Sequence, residues 1–305
     1  FIPFDVPDDT PALAGVGHIV RRNTFLECGV CSLSGLGLIG GLVEANYSEG
    51  CGWQRCGSIH ECAGIKLHYL KHSLARRNVV VDPVDASGLW IDHSNANSRA
   101  TENIILGGNG AAGIFFEASY RPNLVDHNIV WGFDGNAIII QHTSRLAVVN
   151  NLFGACTKKP VQFTNSRTRP RILDVETQRP AMGMGNLVAS NVFYGFGNVG
   201  PNLPDGNLSD GNLFVNPPDA EPFDLDAWRQ KTWQEKNSMA SKASMSLSRD
   251  DWTLRQEPLP PALAGPRVFE VSHDFVGTPR PPEVDTEAGP FLQVNLRPEI
   301  RLAPK

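Results

Sequence analysis

The sequence predicts an all-β solenoid, a right-handed parallel β-helix, because two patterns recur with a period of about 24 residues. The first pattern is an asparagine that closes a short polar run and precedes an apolar pair. Between Asn78 and Asn151 it recurs at intervals of 25, 25 and 23 residues. Asparagine suits the turn of a solenoid because it tolerates the left-handed conformation and its amide can hydrogen-bond along the axis. The pattern occurs at Asn23, Asn46, Asn78, Asn103, Asn128, Asn151, Asn191 and Asn212.

The second pattern is a short strand that lies ten or eleven residues before the asparagine. Its period-two alternation predicts that every second residue points into an apolar interior and that the others point outward. The outward residues form two columns, which we call the aromatic column and the polar column. The aromatic column comprises Lys66, Trp90, Phe115 and Ile139. The polar column comprises His68, Asp92, Glu117, Gln141 and Thr164.

Asp92 and Glu117 are the candidate catalytic residues of the polar column. Neighbouring strands lie about 4.8 Å apart, so this register predicts two carboxyl groups at about that separation. Retaining glycosidases use carboxyl groups about 5–5.5 Å apart, whereas inverting enzymes need about 6.5–9.5 Å. The spacing therefore predicts a retaining glycosidase.

The neighbours of the two acids predict their roles. Directly stacked like charges are unfavourable, which argues against a purely structural ladder. Their proximity should leave one acid ionised and the other protonated. Glu117 lies beside the apolar Phe115, which favours a neutral general acid, whereas Asp92 lies next to His68 and is expected to be the nucleophile.

The residues around this pair are candidates for substrate binding. Aromatic side chains offer a platform for a sugar ring, and polar side chains can hydrogen-bond its hydroxyls. His93 follows the strand of Asp92, and Arg167 belongs to an inserted segment that could reach the substrate. The candidates are His68, Lys66, Trp90, Phe115, Gln141, His93 and Arg167.

Two insertions, at residues 47–62 and 165–186, break the period and are expected to project as loops on the binding face. The repeat fades after Asn212. We therefore predict a catalytic β-helix over residues 1–216 and an irregular C-terminal extension over 217–305. This extension should hold one short helix around Asp224–Lys231, and its residues 267–291 should cap the last coil.

Composition restricts the class of partner. A net charge of −5 gives no basic surface for nucleic acid, and no apolar stretch is long enough to span a membrane. The expected partner is an oligosaccharide or glycoside, and self-association of the solenoid walls stays open. The segment that begins at Phe1 has no signal-peptide pattern, so we expect such a peptide to be absent or already removed. The chain opens almost directly into a repeat unit, as a fragment of a longer protein would. Six cysteines, five of them within residues 28–62, suggest disulfides or buried thiols more than zinc, and no cofactor is indicated.

The strand segments resemble the β-helix core of glycoside hydrolase family 120, whose members are retaining β-xylosidases. The resemblance covers about residues 20–155 and is most specific in Gly88–Asp92 and in the Phe-x-Glu of Phe115–Glu117. It implies that Asp92 is the nucleophile and Glu117 the acid/base. The chain departs from the family at His93, where an aromatic residue is common, and it lacks a strand pattern for the family's immunoglobulin-like insertion.

Three other interpretations remain open at the level of sequence. The acid pair could bind Ca²⁺ in a polysaccharide lyase of this pectate-lyase-like fold, with Lys66 as the base. The solenoid could bind glycans without hydrolysing them. The two acids could also be part of a solvated surface.

Overall fold

The protein is a right-handed parallel β-helix, as the sequence predicts. Its structure is a computed structural model that describes residues 15–55, 61–164, 183–260, 268, 271–280, 288–291 and 298–302. Within these ranges, no helix has the length and apolar character needed to cross a membrane.

The described residues form short strands joined by tight turns, with one helix after the last regular coil. In chain order the elements are β1 (Gly15–Val16), β2 (Ile19–Arg21), β3 (Thr24–Leu26), β4 (Leu33–Leu36), β5 (Leu38–Ile39), β6 (Leu42–Glu44), β7 (Tyr47–Glu49), β8 (Ala63–His68), β9 (Leu74–Arg76), β10 (Val79–Val81), β11 (Ser87–Asp92), β12 (Arg99–Thr101), β13 (Ile104–Leu106), β14 (Asn109–Glu117), β15 (Asn123–Asp126), β16 (Ile129–Trp131), β17 (Asp134–Gln141), β18 (Leu146–Val149), β19 (Leu152–Gly154), β20 (Val161–Thr164), β21 (Leu187–Ala189), β22 (Val192–Tyr194), β23 (Leu208–Asp210), β24 (Leu213–Asn216), α1 (Leu225–Thr232), β25 (Met239–Lys242), β26 (Met245–Ser248), β27 (Thr253–Gln256) and β28 (Glu299–Arg301).

Three parallel sheets form the walls of the β-helix, and successive coils add strands to each of them. The sheet that carries the two columns has the order β4-β8-β11-β14-β17-β20. Its register pairs Asp92 with His68 on one side and with Glu117 on the other, and Glu117 in turn with Gln141. The predicted stacking of the polar column is therefore confirmed.

The interior is an apolar column that follows from the period-two alternation of the strands. Inward residues such as Ile65, Ile91 and Phe116 are almost fully buried. At the C-terminal end the interior is aromatic, and Phe223 stacks on Phe214 with 4.1 Å between the ring centroids. Burial of these side chains is the main force that holds successive coils together.

The recurring asparagines form a buried ladder along the axis. Each Nδ2 donates to the Oδ1 of the asparagine on the next coil at 2.9–3.1 Å. The residue before each of the first seven asparagines adopts the left-handed conformation, with φ of 52–57°. The asparagines are therefore required for hydrogen bonding along the axis. The left-handed conformation, which was expected at the asparagine itself, lies at the residue before it.

The ladder ends on a buried acid. Asn212 donates to both carboxylate oxygens of Glu235, which also accept hydrogen bonds from the hydroxyls of Ser209 and Ser238. Glu235 is fully buried, and desolvation raises the pKa of its carboxyl. Four hydrogen bonds from three side chains thus replace the solvent that this carboxyl loses on folding.

The C-terminal extension contains the predicted helix, α1, which begins after the capping residue Asp224. Strand β25 continues one sheet of the β-helix beyond Asn216, and β26, β27 and β28 form a small antiparallel sheet. The described part of the segment predicted to cap the last coil lies along the side of the β-helix instead. There Val271 packs against Leu124 and Arg280 contacts His127.

Candidate active site

Strands β8, β11, β14 and β17 present the polar column on one outer face of the β-helix. Asp92 and Glu117 are both largely buried, with 9% and 5% of their surface exposed. Acids of a merely solvated surface would be exposed, so this burial argues against that interpretation. It also means that each carboxyl depends on its protein neighbours for stabilising contacts.

Asp92 is paired with a buried ammonium group. Nζ of Lys66 lies 3.1 Å from Oδ2 of Asp92, and Lys66 is only 1% exposed. Nδ1 of His68 lies 3.6 Å from the same oxygen. Burial lowers the pKa of His68, although the charge of Asp92 partly opposes this shift. The imidazole is therefore neutral at neutral pH, and Lys66 is the cation that stabilises the Asp92 carboxylate.

Glu117 is held from the opposite direction. Nε2 of Gln141, on the next coil, donates to Oε1 of Glu117 at 2.7 Å. Gln141 therefore lies beside the acid pair, and its side chain contacts Glu117 directly. Asp92 is thus held by a residue of β8, and Glu117 by a residue of β17.

The aromatic column differs from the prediction in how its side chains are used. Trp90 and Phe115 stack with 4.7 Å between ring centroids and 14° between ring planes. Nζ of Lys66 lies 3.2 Å from the centre of the Trp90 ring. Both faces of the indole are therefore covered, by Phe115 and by Lys66. The prediction that Trp90 offers a ring face to a sugar is wrong, because the stacked column buries both of its faces.

The prediction that Lys66 bonds substrate hydroxyls also needs correction. Its ammonium is directed to two carboxylates, at 3.1 Å from Asp92 and 2.9 Å from Oε2 of Glu61. Glu61 is 60% exposed and its Oε2 also lies 4.0 Å from Nε2 of His68. Reasoning from the repeat missed Glu61 because it belongs to the insertion before β8. The sequence did offer one signal for Glu61: an acidic residue that shortly precedes a strand with an outward-pointing lysine.

The remaining candidates lie at the margin of the site. His93 follows Asp92 in the turn, with a left-handed φ of 58° and its Nδ1 3.0 Å from Oγ of Ser94. Its ring lies 5.5 Å from that of Tyr69. His93 therefore lies in the turn that follows β11, and its contact with a substrate stays a prediction. Arg167 lies outside the described residues.

The cysteine-rich segment supplies thiols to the wall beside β8. Cys28, Cys31, Cys51 and Cys156 carry free thiols. Burial raises the pKa of Cys51 to about 11, so its thiol is protonated and unreactive near neutral pH. Across the described chain, no three metal-binding side chains form a group that could hold an ion.

Comparison with known proteins agrees with this architecture. A family model described as "Right handed beta helix region" matches residues 13–153. No curated protein sequence matches the chain. A solved structure of XylC in complex with xylose superposes with a TM-score of 0.61 at 18% identity, over 92% of this chain and 51% of XylC. A PL6 family alginate lyase, AlyGC, aligns at 9% identity and a TM-score of 0.25 over 81% of this chain and 53% of its own.

The family model and the superposition on XylC define the class of protein as a right-handed parallel β-helix. XylC shares this fold, and the present chain spans about half of its length. At 18% identity the likeness concerns the fold alone.

Proposed function

We propose that this chain is a retaining glycoside hydrolase that removes a terminal β-linked sugar, with xylose as the preferred residue. The observation that carries the proposal is the pairing of Asp92 with the buried Lys66, directly beside Glu117 on the neighbouring strand. This arrangement provides a carboxylate paired with a cation next to a second carboxyl group with a different environment.

The reaction proceeds by double displacement. Asp92 attacks the anomeric carbon while Glu117 gives its proton to the glycosidic oxygen, so that the bond breaks and the leaving alcohol departs. Glu117, now a carboxylate, takes a proton from water. The resulting hydroxide attacks the same carbon, and Asp92 is released as a carboxylate. The two inversions give net retention at the anomeric carbon.

The contacts of each carboxyl support its role. Lys66 supplies a positive charge that favours the ionised, nucleophilic form of Asp92. Glu117 lies next to the apolar Phe115, an environment that favours a neutral acid, and Gln141 orients its carboxyl group through Oε1. Neither contact requires a change of neighbour during the reaction, so the site is preorganised.

Xylose is proposed on two lines of support. The segments around Asp92 and Glu117 resemble glycoside hydrolase family 120, and we propose that the chain is a divergent relative of that family. The solved structure of XylC that shares this fold was determined with xylose. A carbohydrate-active β-helix is the broader proposal, and xylosidase activity is the narrower one.

A polysaccharide lyase is the second candidate, and the burial of Lys66 argues against it. A lyase base must reach a proton on the sugar ring, whereas this ammonium is 1% exposed and lies between Asp92 and the face of Trp90. A lyase would release an unsaturated product that absorbs in the ultraviolet. Formation of that product would favour the lyase over the hydrolase.

The test is turnover of a panel of aryl β-glycosides, with the first-formed product anomer followed by NMR. We expect the β-anomer. We also expect Glu117→Gln to lower turnover by about 10²–10⁴-fold, with partial recovery on substrates that have good leaving groups. Asp92→Asn should be inactive, and Asp219→Asn, at an exposed acid outside the site, is the matched control. Full activity of Asp92→Asn would refute the proposal.

A further inference from the structure

A buried chain of hydrogen bonds ties the C-terminal segment to the side of the β-helix. We call residues 271–280 and 288–291 of this segment the strap. Nδ1 of His127 lies 2.7 Å from Oδ2 of Asp126, and Nε of Arg280, on the strap, lies 3.2 Å from Nε2 of His127. None of these three side chains is more than 6% exposed. The strap is therefore attached through a contact that is shielded from solvent.

The contact with Arg280 admits only one form of the His127 imidazole. A guanidinium has N–H donors and no acceptor, so Nε2 of His127 must accept the hydrogen bond. The ring is therefore neutral, and its proton lies on Nδ1, which donates to Asp126. Protonation of Nε2 would replace the acceptor with a donor and would bring two buried cations together. The attachment of the strap thus depends on the protonation state of one histidine.

The carboxylate beside His127 is already shared with another guanidinium. Arg99, on β12, donates to both carboxylate oxygens of Asp126, at 2.7 and 2.6 Å. Burial lowers the pKa of His127, and the charges of Arg280 and Arg99 lower it further, although Asp126 opposes them. A protonated His127 would be the third cation around a single buried carboxylate. The folded arrangement therefore disfavours the charged imidazole.

The other titratable groups on the adjoining elements have partners of their own. On the coil that precedes His127, Glu102 occupies the equivalent turn position and pairs with Arg77. On the strap, the buried Asp274 accepts hydrogen bonds from two backbone N–H groups of its own turn. His273 is exposed on the strap, so its protonation requires no change in burial. Among the described residues, His127 is thus the histidine on which the attachment depends.

The guanidinium of Arg280 also supports the second attachment of the strap. Its Nη2 donates to the carbonyl oxygen of Gly289 at 2.9 Å, and the N–H of Gly289 donates to the carbonyl oxygen of Ser190 at 2.7 Å. Gly289 has a positive φ of 88°, and a Cβ at this position would lie 2.8 Å from Cγ2 of Val192. A glycine is therefore required where the strap meets the wall. Displacement of Arg280 would loosen both attachments.

We propose that the strap is an acid-released switch, in which protonation of His127 displaces Arg280 and detaches the strap from the β-helix. Val271 of the strap packs on an apolar strip of the wall, so release uncovers that strip, which comprises Leu124, Val149 and Ala189. The strap packs on the sheet that contains β15, whereas the polar column lies on another sheet. The switch therefore does not depend on the proposed function.

The experiment is hydrogen–deuterium exchange of the full chain, followed by mass spectrometry over a series of pH values. The reporter is the peptide that contains Gly289, because its N–H bonds to the wall, and each rate is divided by the intrinsic rate at that pH. Between the ordinary histidine pKa of about 6.5 and the lowered pKa of His127, the opening constant should rise by up to about tenfold per pH unit as the pH falls. Peptides from the core of the β-helix, such as that of Phe153, should stay protected. Protection of Gly289 that does not change with pH would overturn the switch.

Three variants assign the effect to particular groups. His127→Gln can still accept a hydrogen bond but does not titrate, so the protection of Gly289 should no longer depend on pH. Arg280→Ala should exchange rapidly at every pH while the core stays protected. His273→Gln is the matched control on the strap and should behave as the wild-type chain does. A pH dependence that persists in His127→Gln, or that disappears in His273→Gln, would refute the role of His127.

An NMR titration of the His127 ring tests the same coupling without a change at His127. Because linkage is reciprocal, a proton that releases the strap must bind more tightly when the strap is already released. Arg280→Ala should therefore raise the pKa of His127 toward the ordinary histidine value. An unchanged pKa in this variant would overturn the switch even if His127→Gln did not fold.

Discussion

Replacing Lys66 with methionine removes the cation beside the proposed nucleophile while it keeps an unbranched side chain against the indole of Trp90. Coulomb's law gives about 5 kcal/mol for unit charges at 3.1 Å and an effective dielectric constant of about 20. Because the ammonium also pairs with Glu61, and the Asp92 side chain is 13% exposed, we expect about half of this energy to act on Asp92. About 2.7 kcal/mol corresponds to a factor of about 100 in kcat/KM.

The assay is kcat/KM of Lys66→Met on an aryl β-xyloside, with Lys66→Arg as the control that restores a positive charge. Loss of the cation removes the charge that lies beside the proposed nucleophile, so kcat/KM should fall by about 100-fold. The arginine variant should lose less. Thermal unfolding followed by circular dichroism separates this effect from loss of the fold. A methionine variant that folds and keeps the wild-type kcat/KM would refute the role of Lys66.

Three further predictions concern stability, each measured by urea unfolding. Burial raises the pKa of Glu235, so its contribution to stability is complete below the ordinary glutamate range and falls as the pH rises through its raised pKa. Glu235→Gln should remove this dependence of the unfolding free energy on pH. An unchanged dependence would contradict the assignment. Burial lowers the pKa of His127, so its contribution is present above the ordinary histidine range and is lost as the pH falls through its lowered pKa. His127→Asn should flatten that acid decline; a decline as steep as that of the wild-type chain would count against it. Phe214→Ala should cost about 3–5 kcal/mol, because it leaves a cavity under Phe223, and a cost below about 1 kcal/mol would show that the end of the core is loosely packed.

The period of the sequence was sufficient to predict which residues share a coil position. A coil of 24 or 25 residues forces Asp92 to lie beside Glu117, and period-two alternation decides that both point outward. Inward residues such as Phe116 could be predicted for the same reason. These features depend on backbone geometry, which the repeat determines.

The direction of long side chains could not be predicted in this way. Lys66 occupies an outward position, yet its flexible stem bends over Trp90 to reach Asp92 because pairing stabilises a buried charge. Glu61 belongs to an insertion, where no repeat fixes a register. The position of the C-terminal segment could not be predicted either, because the contact between Arg280 and His127 joins residues that are 153 positions apart in the sequence.

The central claim is that Asp92 forms a covalent glycosyl intermediate. The most direct measurement is mass spectrometry of the protein after reaction with a 2-deoxy-2-fluoro-β-xylosyl fluoride, which slows the second step of a retaining enzyme. We predict one added 2-fluoroxylosyl group, located by peptide mapping on Asp92, and no addition to Asp92→Asn. Hydrolysis of β-xylosides without such an adduct, or with the adduct on another residue, would contradict the assignment of Asp92 as the nucleophile.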